Sequence, residues 1–444
     1  MKKIFLIIVL ISGCIIAQSW NNIITTTINE PNLVQLDNFT NRDGIHVVAQ
    51  NSNSTNSIKY YRLNSSGGVQ TSTTIETSGG AEFPHIAGDN DHMYISYRLG
   101  NNIVTKKYIY STGTWESQTP ISLNNQDCNS VDNAYNDAGL HIVFSEYDGS
   151  SSYKTHYWLY ASFYPSNHFV VNDYADYLGW PTISLSSNKA HVGFHSYGYA
   201  KTRDKNLTNN SWESTQGVAI ADGNERVQSG CDKLFDFYDV LVPGIFVNLY
   251  VKERGINSST WSSPQLLNYS VHPYLEGRVT STVTSDGKTH IIYDSEQIIH
   301  RSYNCATSSW SDEYEVTSSP GLTQSSSISA VSNDLYIVFR EYGGSNIKYR
   351  QYDSAPLAPQ NPQLSANPGN NKVRVSWSKN NEPDIAVYEV WRKVAELGGN
   401  WTNLGTTTNN YFVDNEYLYA PGAGDFTLTY KIRAKDIGNH LFRI

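Results

Sequence analysis

Methionine is nearly absent, with 2 in 444 residues, and cysteine numbers only 4. Apart from Cys14 near the N-terminus, Cys128, Cys231 and Cys305 stand far apart in a large body. An odd number without framework spacing makes no disulfide scaffold, and the three read as small buried residues. Charged residues are 16% of the chain, with 41 acidic against 32 basic and a net charge of −9. An acidic surface without Lys/Arg clusters argues against a nucleic-acid partner. Beyond the N-terminus no segment is apolar enough to span a bilayer, and no long helical period stands out. What is abundant is Tyr (32) and Trp (10) among many Ser, Thr and Asn. Aromatic and β-branched residues with polar turns build strands, so the chain is expected to be all-β.

The first residues, MKKIFLIIVLISGCIIAQ, carry two lysines and then an apolar run from Ile4 to about Ile11. That run is too short to cross a membrane and suits an export leader. Two processing routes fit. Cleavage after Ala17 makes residues 1–17 a signal peptide, the preferred reading. Ile11-Ser12-Gly13-Cys14 also has the pattern of a bacterial lipobox, in which Cys14 would carry a lipid anchor. Loss of the two leader lysines leaves 30 basic against 41 acidic residues, a charge of −11. The mature protein is expected outside the bacterial cytoplasm, secreted or held at the cell surface, with no membrane span.

Tryptophan recurs in one setting: TWESQTPISL at Trp115, SWESTQGVAI at Trp212, TWSSPQLLN at Trp261 and SWSDEYEVTS at Trp310. The last two steps are 49 residues and the first is 97, which places a missing copy at Tyr164. Stepping back from Trp115 reaches Val69 and then Trp20, giving seven copies 46 to 49 apart. A second series of alternating strands centres on His46, Tyr94, His141, His191, Phe246, His290 and Tyr336. A third, near Pro31, Pro84, Ser130, Pro181, Cys231, Val279 and Ser325, marks where each unit starts. Seven units of about four strands predict a β-propeller over 19–353. The seventh unit stops after three strands, at NIKYRQYDS, while Ser19–Ile28 is an outer strand with no unit of its own. The first strand of the mature chain is therefore expected to complete the last blade, leaving no open sheet edge.

DSAPLAPQNP, with three Pro in ten residues, reads as a linker over 354–362. Beyond it KVRVSWS, AVYEVWRK and LTYKIRAKD alternate strictly, as in a small two-sheet sandwich. Over about 359–444 this part resembles a fibronectin type III domain. The resemblance rests on Pro359, Pro362, Leu364, Val373, Val375, Trp377, Asp384, Tyr388, Val390, Arg392, Asp414, Tyr430, Ala434, Asp436 and Gly438-Asn439. It implies a spacer or adhesive module over 363–444. HLFRI is short for the full last strand with which the family pattern continues.

The propeller units resemble sialidase-like blades, best in YIVFREYGGSNIKYRQYDS and HIVFSEYDGSS. The Asp-box of that family, Ser-x-Asp-x-Gly-x-Thr-Trp, is degenerate here: IYSTGTW, TNNSW, NSSTW and ATSSW all lack the Asp, and no Arg-Ile-Pro occurs. By propeller geometry two sets of loops share one face. The first brings Glu30, Glu82, Asp127, Glu225 and Glu276, with Trp180 at the fourth position. A ring of carboxylates there could attract a cation such as calcium. The second brings Arg98, Glu146, Tyr147, His195, Tyr197, Asp294, Glu296, Arg340, Glu341 and Tyr342. Arg98 and Arg340, with Arg226 or Arg278, could grip a sugar carboxylate, with Tyr342 and Glu341 as nucleophile and base, as the sialidase resemblance implies. The four strand histidines, at one phase among apolar residues, read as packing, and GDNDH at Gly88–His92 reads as a turn between strands. Phe83, Tyr147, Tyr177, Trp180, Tyr197, Tyr199 and Tyr274 are the aromatic residues of the face loops, where flat rings stack on sugars. The resulting expectation is a non-catalytic recognition protein for glycan or another extracellular polymer. A diverged sialidase-type exo-glycosidase and a protein-binding scaffold are the alternatives.

Overall fold

The computed structural model describes residues 19–437 except 54–55, 117–119, 122–127, 148, 150–151, 161–167, 176–179, 222–224, 242–246, 272–278, 296, 318–322, 342, 355 and 420–425. The chain divides into two compact units: Asn22–Gln351, and a second formed by Tyr352 onwards with the N-terminal residues through Asn21. Apart from one short 3-10 turn at Ala395–Leu397, the described regular structure is strand. No described helix is long and apolar enough to cross a membrane.

In the first unit the described strands form seven antiparallel sheets of four or five strands each. Within every sheet but the last the strands run outward in chain order, as in Leu33–Asn41, Gly44–Asn51, Ser57–Leu63 and Val69–Glu76. The first strands of the other six are Ala81–Gly88, Cys128–Asn136, Thr182–Leu185, Glu225–Gly230, Thr280–Val283 and Thr323–Val331. Second strands such as Gly44–Asn51 and Lys189–Ser196 are buried along their whole length, because both faces pack on neighbouring sheets. The core accordingly lies between sheets: Val48, Tyr60, Ile86, Ile95 and Tyr97 join the first to the second, and Phe235, Phe237, Ile291 and Tyr303 join the fifth to the sixth.

The repeating tryptophan is the outer part of this core. Trp115, Trp212 and Trp310 each sit opposite the third strand of their own sheet, at Tyr108, Lys205 and Tyr303. They also reach the preceding sheet, with ring centroids 5.3 Å from Tyr60, 5.2 Å from Tyr157 and 5.6 Å from Phe235 respectively. A large rigid ring wedged between two sheets explains why Trp recurs at this one place.

The N-terminal strand does join the last sheet. Ile24–Asn29 pairs with Asn346–Asp353, setting Ile24 opposite Tyr349 and Thr25 opposite Lys348. The Thr26 hydroxyl donates to the Ile347 carbonyl at 2.7 Å, and Ile28 enters a core shared by the first and last sheets. Some 320 residues of chain thus meet across one strand pair.

Four expectations need correction. In the fifth sheet the second strand is Lys233–Leu241, and the described part of GIFVNLY belongs to the third strand, Val247–Gly255. KLFDFYDVL conceals its strand because Asp236 and Asp239 stand buried where apolar residues were sought. Cys231 does not start a strand: it follows Glu225–Gly230 in a two-residue turn where Cys231 and Asp232 both have φ of 56°. Nor is it a lone buried residue, since Cys231 and Cys305 form a disulfide; of the described cysteines Cys128 is the one buried outside that bridge. Finally, Gln360–Ala366 is already strand, so the linker ends before residue 362. Tyr164 and Phe246 lie outside the described residues, and the fourth strand of the third sheet is His168–Ala175.

The second unit has two three-stranded sheets, one centred on Lys372–Ser378 and one on Ile385–Val394. Val373, Val375, Trp377, Tyr388, Val390, Leu428, Tyr430 and Ala434 form their common core. Three residues singled out in the sequence meet there: the Arg392 guanidinium donates to both Asp414 oxygens at 2.9 and 2.8 Å, and the Tyr430 hydroxyl donates to Asp414 at 2.7 Å.

The disulfide ties the fifth sheet to the sixth across a sequence separation of 74 residues. Closing a loop of that length restricts the unfolded chain by about 4 kcal/mol in the chain-entropy account. Reduction, or Cys305→Ser, is expected to lower the thermal midpoint by several degrees in calorimetry; an unchanged midpoint would show that the bridge contributes nothing.

Candidate functional site

The first strand of each sheet has one edge with no strand beside it, so its N–H groups need other partners. Side-chain oxygens of the neighbouring sheet supply them. Ile86 N–H donates to Asp37 at 3.0 Å and Ile183 N–H to Asp132 at 3.0 Å. Val227 N–H donates to Thr182 Oγ1 at 3.2 Å and Ser229 N–H to Ser184 Oγ at 2.8 Å. Ser281 Oγ donates to Gln228 at 2.9 Å, and the last sheet returns to the first through Leu36 N–H on Ser325 Oγ at 2.8 Å. Short polar side chains on these strands therefore stitch sheet to sheet.

Inside this belt lies a cavity of about 90 Å³ lined by residues from the first strands of all seven sheets, with Phe237 and Asp294 from second strands. Four of those first strands carry a bulge at matching positions: Val34/Leu36, Glu82/His85, Cys128/Ser130 and Thr323/Ser325. A bulge re-aims the side chain beside it. It leaves Phe83 with φ of 55°, a left-handed conformation that costs a non-glycine residue energy and here turns the ring to the cavity wall. Trp180, from the approach to the fourth sheet, stands 6.1 Å from Phe83 between ring centroids.

Four ionisable side chains form a chain across the sheets. His85 Nδ1 lies 3.4 Å from Asp37 and 3.3 Å from Asp132, and Arg226 Nη1 donates to Asp132 at 2.9 Å. Burial pushes the Asp37 carboxyl up, but the hydrogen bond and charge of His85, with Ile86 N–H and the Ser327 hydroxyl, hold it below its ordinary value. Beside this chain the Glu225 and Asp236 carboxyls are neighbours in the interior. Burial raises both, Asp236 to about 8 and Glu225 well above its usual range, so the pair retains a proton at neutral pH. Gly193 makes room for them: a Cβ there would come within 2.9 Å of Glu225 Oε1.

The residues expected at the site are only partly brought together. Phe83, Trp180, Glu225, Arg226 and Asp294 line the cavity. Arg340 does not; its guanidinium donates to the carbonyls of Leu33, Pro31 and Gly344, tying the last sheet to the first. Arg98 pairs with Glu82, donates to the Cys128 carbonyl and stacks 5.4 Å over Phe83. The anticipated ring of carboxylates is not formed by its described members. Glu30 accepts from Tyr61 and Asn51, Glu82 from Arg98 and Asn56, and only Glu225 reaches the axis. Glu341 pairs with Lys348 at 2.7 Å, and Glu146 lies 3.2 Å from His156. His195 is tied to the Ala221 carbonyl at 2.7 Å. Tyr147 packs 5.4 Å from Tyr153, whereas Tyr197 is 64% exposed at the tip of a hairpin. Asp127, Tyr177, Tyr274, Glu276, Arg278, Glu296 and Tyr342 lie outside the described residues.

Asp37, His85 and Asp132 were missed. Their trace in the sequence is the pair Leu36-Asp37-Asn38 and Val131-Asp132-Asn133, at the same phase two units apart. The strand histidines are structural: His46 bonds Tyr60 at 2.8 Å, His141 bonds Tyr157 at 2.7 Å and His191 bonds Asp204 at 2.9 Å.

No family model matches the chain, and no curated protein matches it by sequence. Among solved structures it is similar to the hydrazine synthase of Kuenenia stuttgartiensis, with a TM-score of 0.50 at 8% identity over 73% of this chain and 96% of that one. It also aligns with the β-propeller domain of Cps50 (Swd1) from Myceliophteria thermophila, at a TM-score of 0.44 and 8% identity over 74% of this chain and 98% of that one. A fungal alcohol oxidase of the AA5 family, in complex with copper, aligns at 0.48 and 12% identity over 96% of this chain and 98% of that one. At such identities a likeness speaks for fold alone. Successive sheets around a common cavity, with the likeness at a TM-score of 0.50, make the first unit an all-β body of propeller type.

The buried groups set opposing pH effects. Burial lowers His46 to about 3 and His141 and His290 to about 4, so between pH 4 and 6.5 the unfolded chain takes up protons that the folded one does not. Stability should rise with pH through that window. The Glu225–Asp236 pair acts in reverse: between its ordinary pKa near 4 and about 8 the folded state holds the extra proton, so stability falls as pH rises. Asp236→Asn is expected to raise the thermal midpoint at pH 8 and to change it little at pH 5. An equal effect at both pH values would remove the shared proton from the account.

Proposed function

We propose that the protein is an exported, non-catalytic recognition module: a seven-bladed propeller closed by residues 19–28 and followed by a fibronectin type III-like sandwich. Its propeller face would bind a glycan or another extracellular polymer around the axis. The carrying observation is the Phe83–Trp180 pair on a cavity whose wall mixes apolar side chains with carboxyl and hydroxyl groups. Flat rings beside hydrogen-bonding groups suit the apolar face and polar edge of a sugar. Ligand pockets that enclose a whole small molecule usually exceed about 300 Å³. A cavity near 90 Å³ fits a protruding group of a polymer lying across the face.

The blade count is supported by seven sheets linked through their first strands, and the closure by the pairing of Ile24 with Tyr349. The sandwich reading is supported by two sheets over one core around Trp377 and by the Arg392–Asp414–Tyr430 cluster. Export is supported by the Cys231–Cys305 bridge, since disulfides persist in oxidising compartments. Recognition is preferred to sialidase-type hydrolysis because Arg98 and Arg340 hold backbone carbonyls of adjoining sheets and are not themselves among the cavity's lining residues. Processing at Ala17 or lipidation at Cys14 remain the two proposed forms of the N-terminus.

Binding of the full chain to a glycan and polysaccharide array, with sialylated members and calcium present, tests the reading. Selective binding is expected, weakened at least about tenfold by Trp180→Ala, as for an aromatic anchor at an interface centre. No binding to any glycan would turn the search to protein partners, and release of sialic acid would overturn the ranking in favour of hydrolysis.

A further inference from the structure

Exposed apolar surface in the first unit is one-sided. Among its described residues the exposed large apolar side chains are Tyr197, Tyr199, Ile220, Leu241, Tyr269 and Tyr314, and the first five belong to the fourth and fifth sheets. Tyr197 and Tyr199 sit at the hairpin between the second and third strands of the fourth sheet, Lys189–Ser196 and Tyr199–Asn206. Ile220 ends the outer strand of that sheet, Gln216–Ile220, and Leu241 ends the second strand of the next. In an antiparallel sheet second and outer strands end where the first strand begins. These residues therefore stand at the same end of the sheets as Phe83 and Trp180, which lie at or just before the start of first strands. Single exposed apolar residues are ordinary, but a group at one end of two adjoining sheets marks an interaction surface.

The hairpin tip is also strained. Ser196 lies opposite Tyr199, so the turn has two residues, Tyr197 and Gly198, with φ of 57° and 73°. Such a turn favours Asn-Gly, because both residues take a left-handed backbone. Tyrosine at its first position costs backbone energy and leaves the ring 64% exposed, neither of which helps folding. Of the described aromatic residues Phe83 and Tyr197 are the two with this backbone, and both belong to the same face. The ring is nonetheless held. Lys201 Nζ lies 5.2 Å from its centroid and donates to Ser196 Oγ at 3.3 Å, while Ala221 N–H donates to the Gly198 carbonyl at 3.2 Å. A flat ring fixed in advance loses little freedom when it is covered.

Strand register sets a path between these rings. Thr182, two residues after Trp180, lies opposite Gly193, Ser196 opposite Tyr199, and Tyr199 opposite Ile220. At this end the fourth sheet steps outward from Trp180 through Tyr199 to Ile220, about 4.8 Å a strand. Charge selects the guest, since a chain of net charge −9 repels a polyanion. A neutral β-linked chain of pyranose units offers a flat apolar face at each ring and hydroxyls at its edges. Resting on the recognition reading above, we propose that a neutral, unbranched β-linked polysaccharide runs from the axial cavity outward over the fourth sheet, with Tyr197 and Tyr199 as its outer platforms. One unit engages Phe83 and Trp180, and the units that follow cover Tyr199 and Tyr197. Affinity therefore grows with chain length, as linked contacts on one rigid surface require.

Calorimetric titration of the full chain with cello- and xylo-oligosaccharides, disaccharide against hexasaccharide, tests this. The hexasaccharide of at least one series is expected to bind at least about tenfold tighter than its disaccharide. Tyr197→Asn is the decisive variant, because asparagine suits the turn and should keep or raise the thermal midpoint. It is expected to remove most of the hexasaccharide's advantage and to leave the disaccharide's binding unchanged, with Tyr199→Ala acting alike. Trp180→Ala should weaken both lengths. Equal binding of both lengths, or a hexasaccharide untouched by Tyr197→Asn and Tyr199→Ala, would overturn the path over the fourth sheet; loss in Trp180→Ala would then leave recognition at the axis standing. Failure of both series beside a positive array would overturn the neutral β-linked chain alone, whereas a blank array would remove the recognition reading and this proposal with it.

Discussion

A strand that ends a sheet next to an open axis must find partners for its backbone, and that requirement organises the propeller unit. The partners are short side chains on the neighbouring sheet's first strand: Asp37 for Ile86, Asp132 for Ile183, Thr182 for Val227, Ser325 for Leu36. Where one sheet caps the next in this way, a missing sheet would leave unpaired amides on one side and unmatched side-chain acceptors on the other. The pairing of Ile24–Asn29 with the last sheet is a backbone hydrogen-bonded link that joins the two ends of the unit through one strand pair. The same belt concentrates polar and ionisable groups along the axis, so the device that holds the sheets together also builds the cavity. Structure and candidate site are inseparable at Asp132, which serves both.

Repeats were legible because their strongest marker is a large ring packed between two sheets. Trp115, Trp212 and Trp310 wedge between sheets, and a position that demands a large rigid side chain leaves a period in the sequence. The closing strand was legible for the same reason, as an outer strand with no unit of its own. The fifth unit misled because Asp236 and Asp239 interrupt the apolar alternation of Lys233–Leu241, and nothing local shows that Asp236 has Glu225 beside it. The disulfide was illegible because scattered cysteines carry no spacing signal until the fifth and sixth sheets bring residues 231 and 305 together.

The candidate site divides along similar lines. Aromatic loop residues could be named from their place in the repeat, and Phe83 and Trp180 do meet. Arginines at strand ends looked like ligands for an anion, but a long side chain at a sheet boundary finds carbonyls of the adjoining sheet first, as Arg340 does with Leu33 and Pro31. The Asp37–His85–Asp132–Arg226 chain joins residues up to 189 positions apart from four different sheets, and local patterns cannot reveal it. Its clue was a repeated dipeptide, Asp-Asn, that reads as a turn signal when taken alone.

Hydrogen–deuterium exchange on the full chain, with and without a glycan selected by the array, tests the central claim most directly. Recognition at the axis predicts slowed exchange in peptides covering Ala81–Gly88 and Thr182–Leu185, the strands behind Phe83 and Trp180. Protection confined to Lys372–Ser378 and Ile385–Val394 would place binding on the C-terminal unit and contradict it.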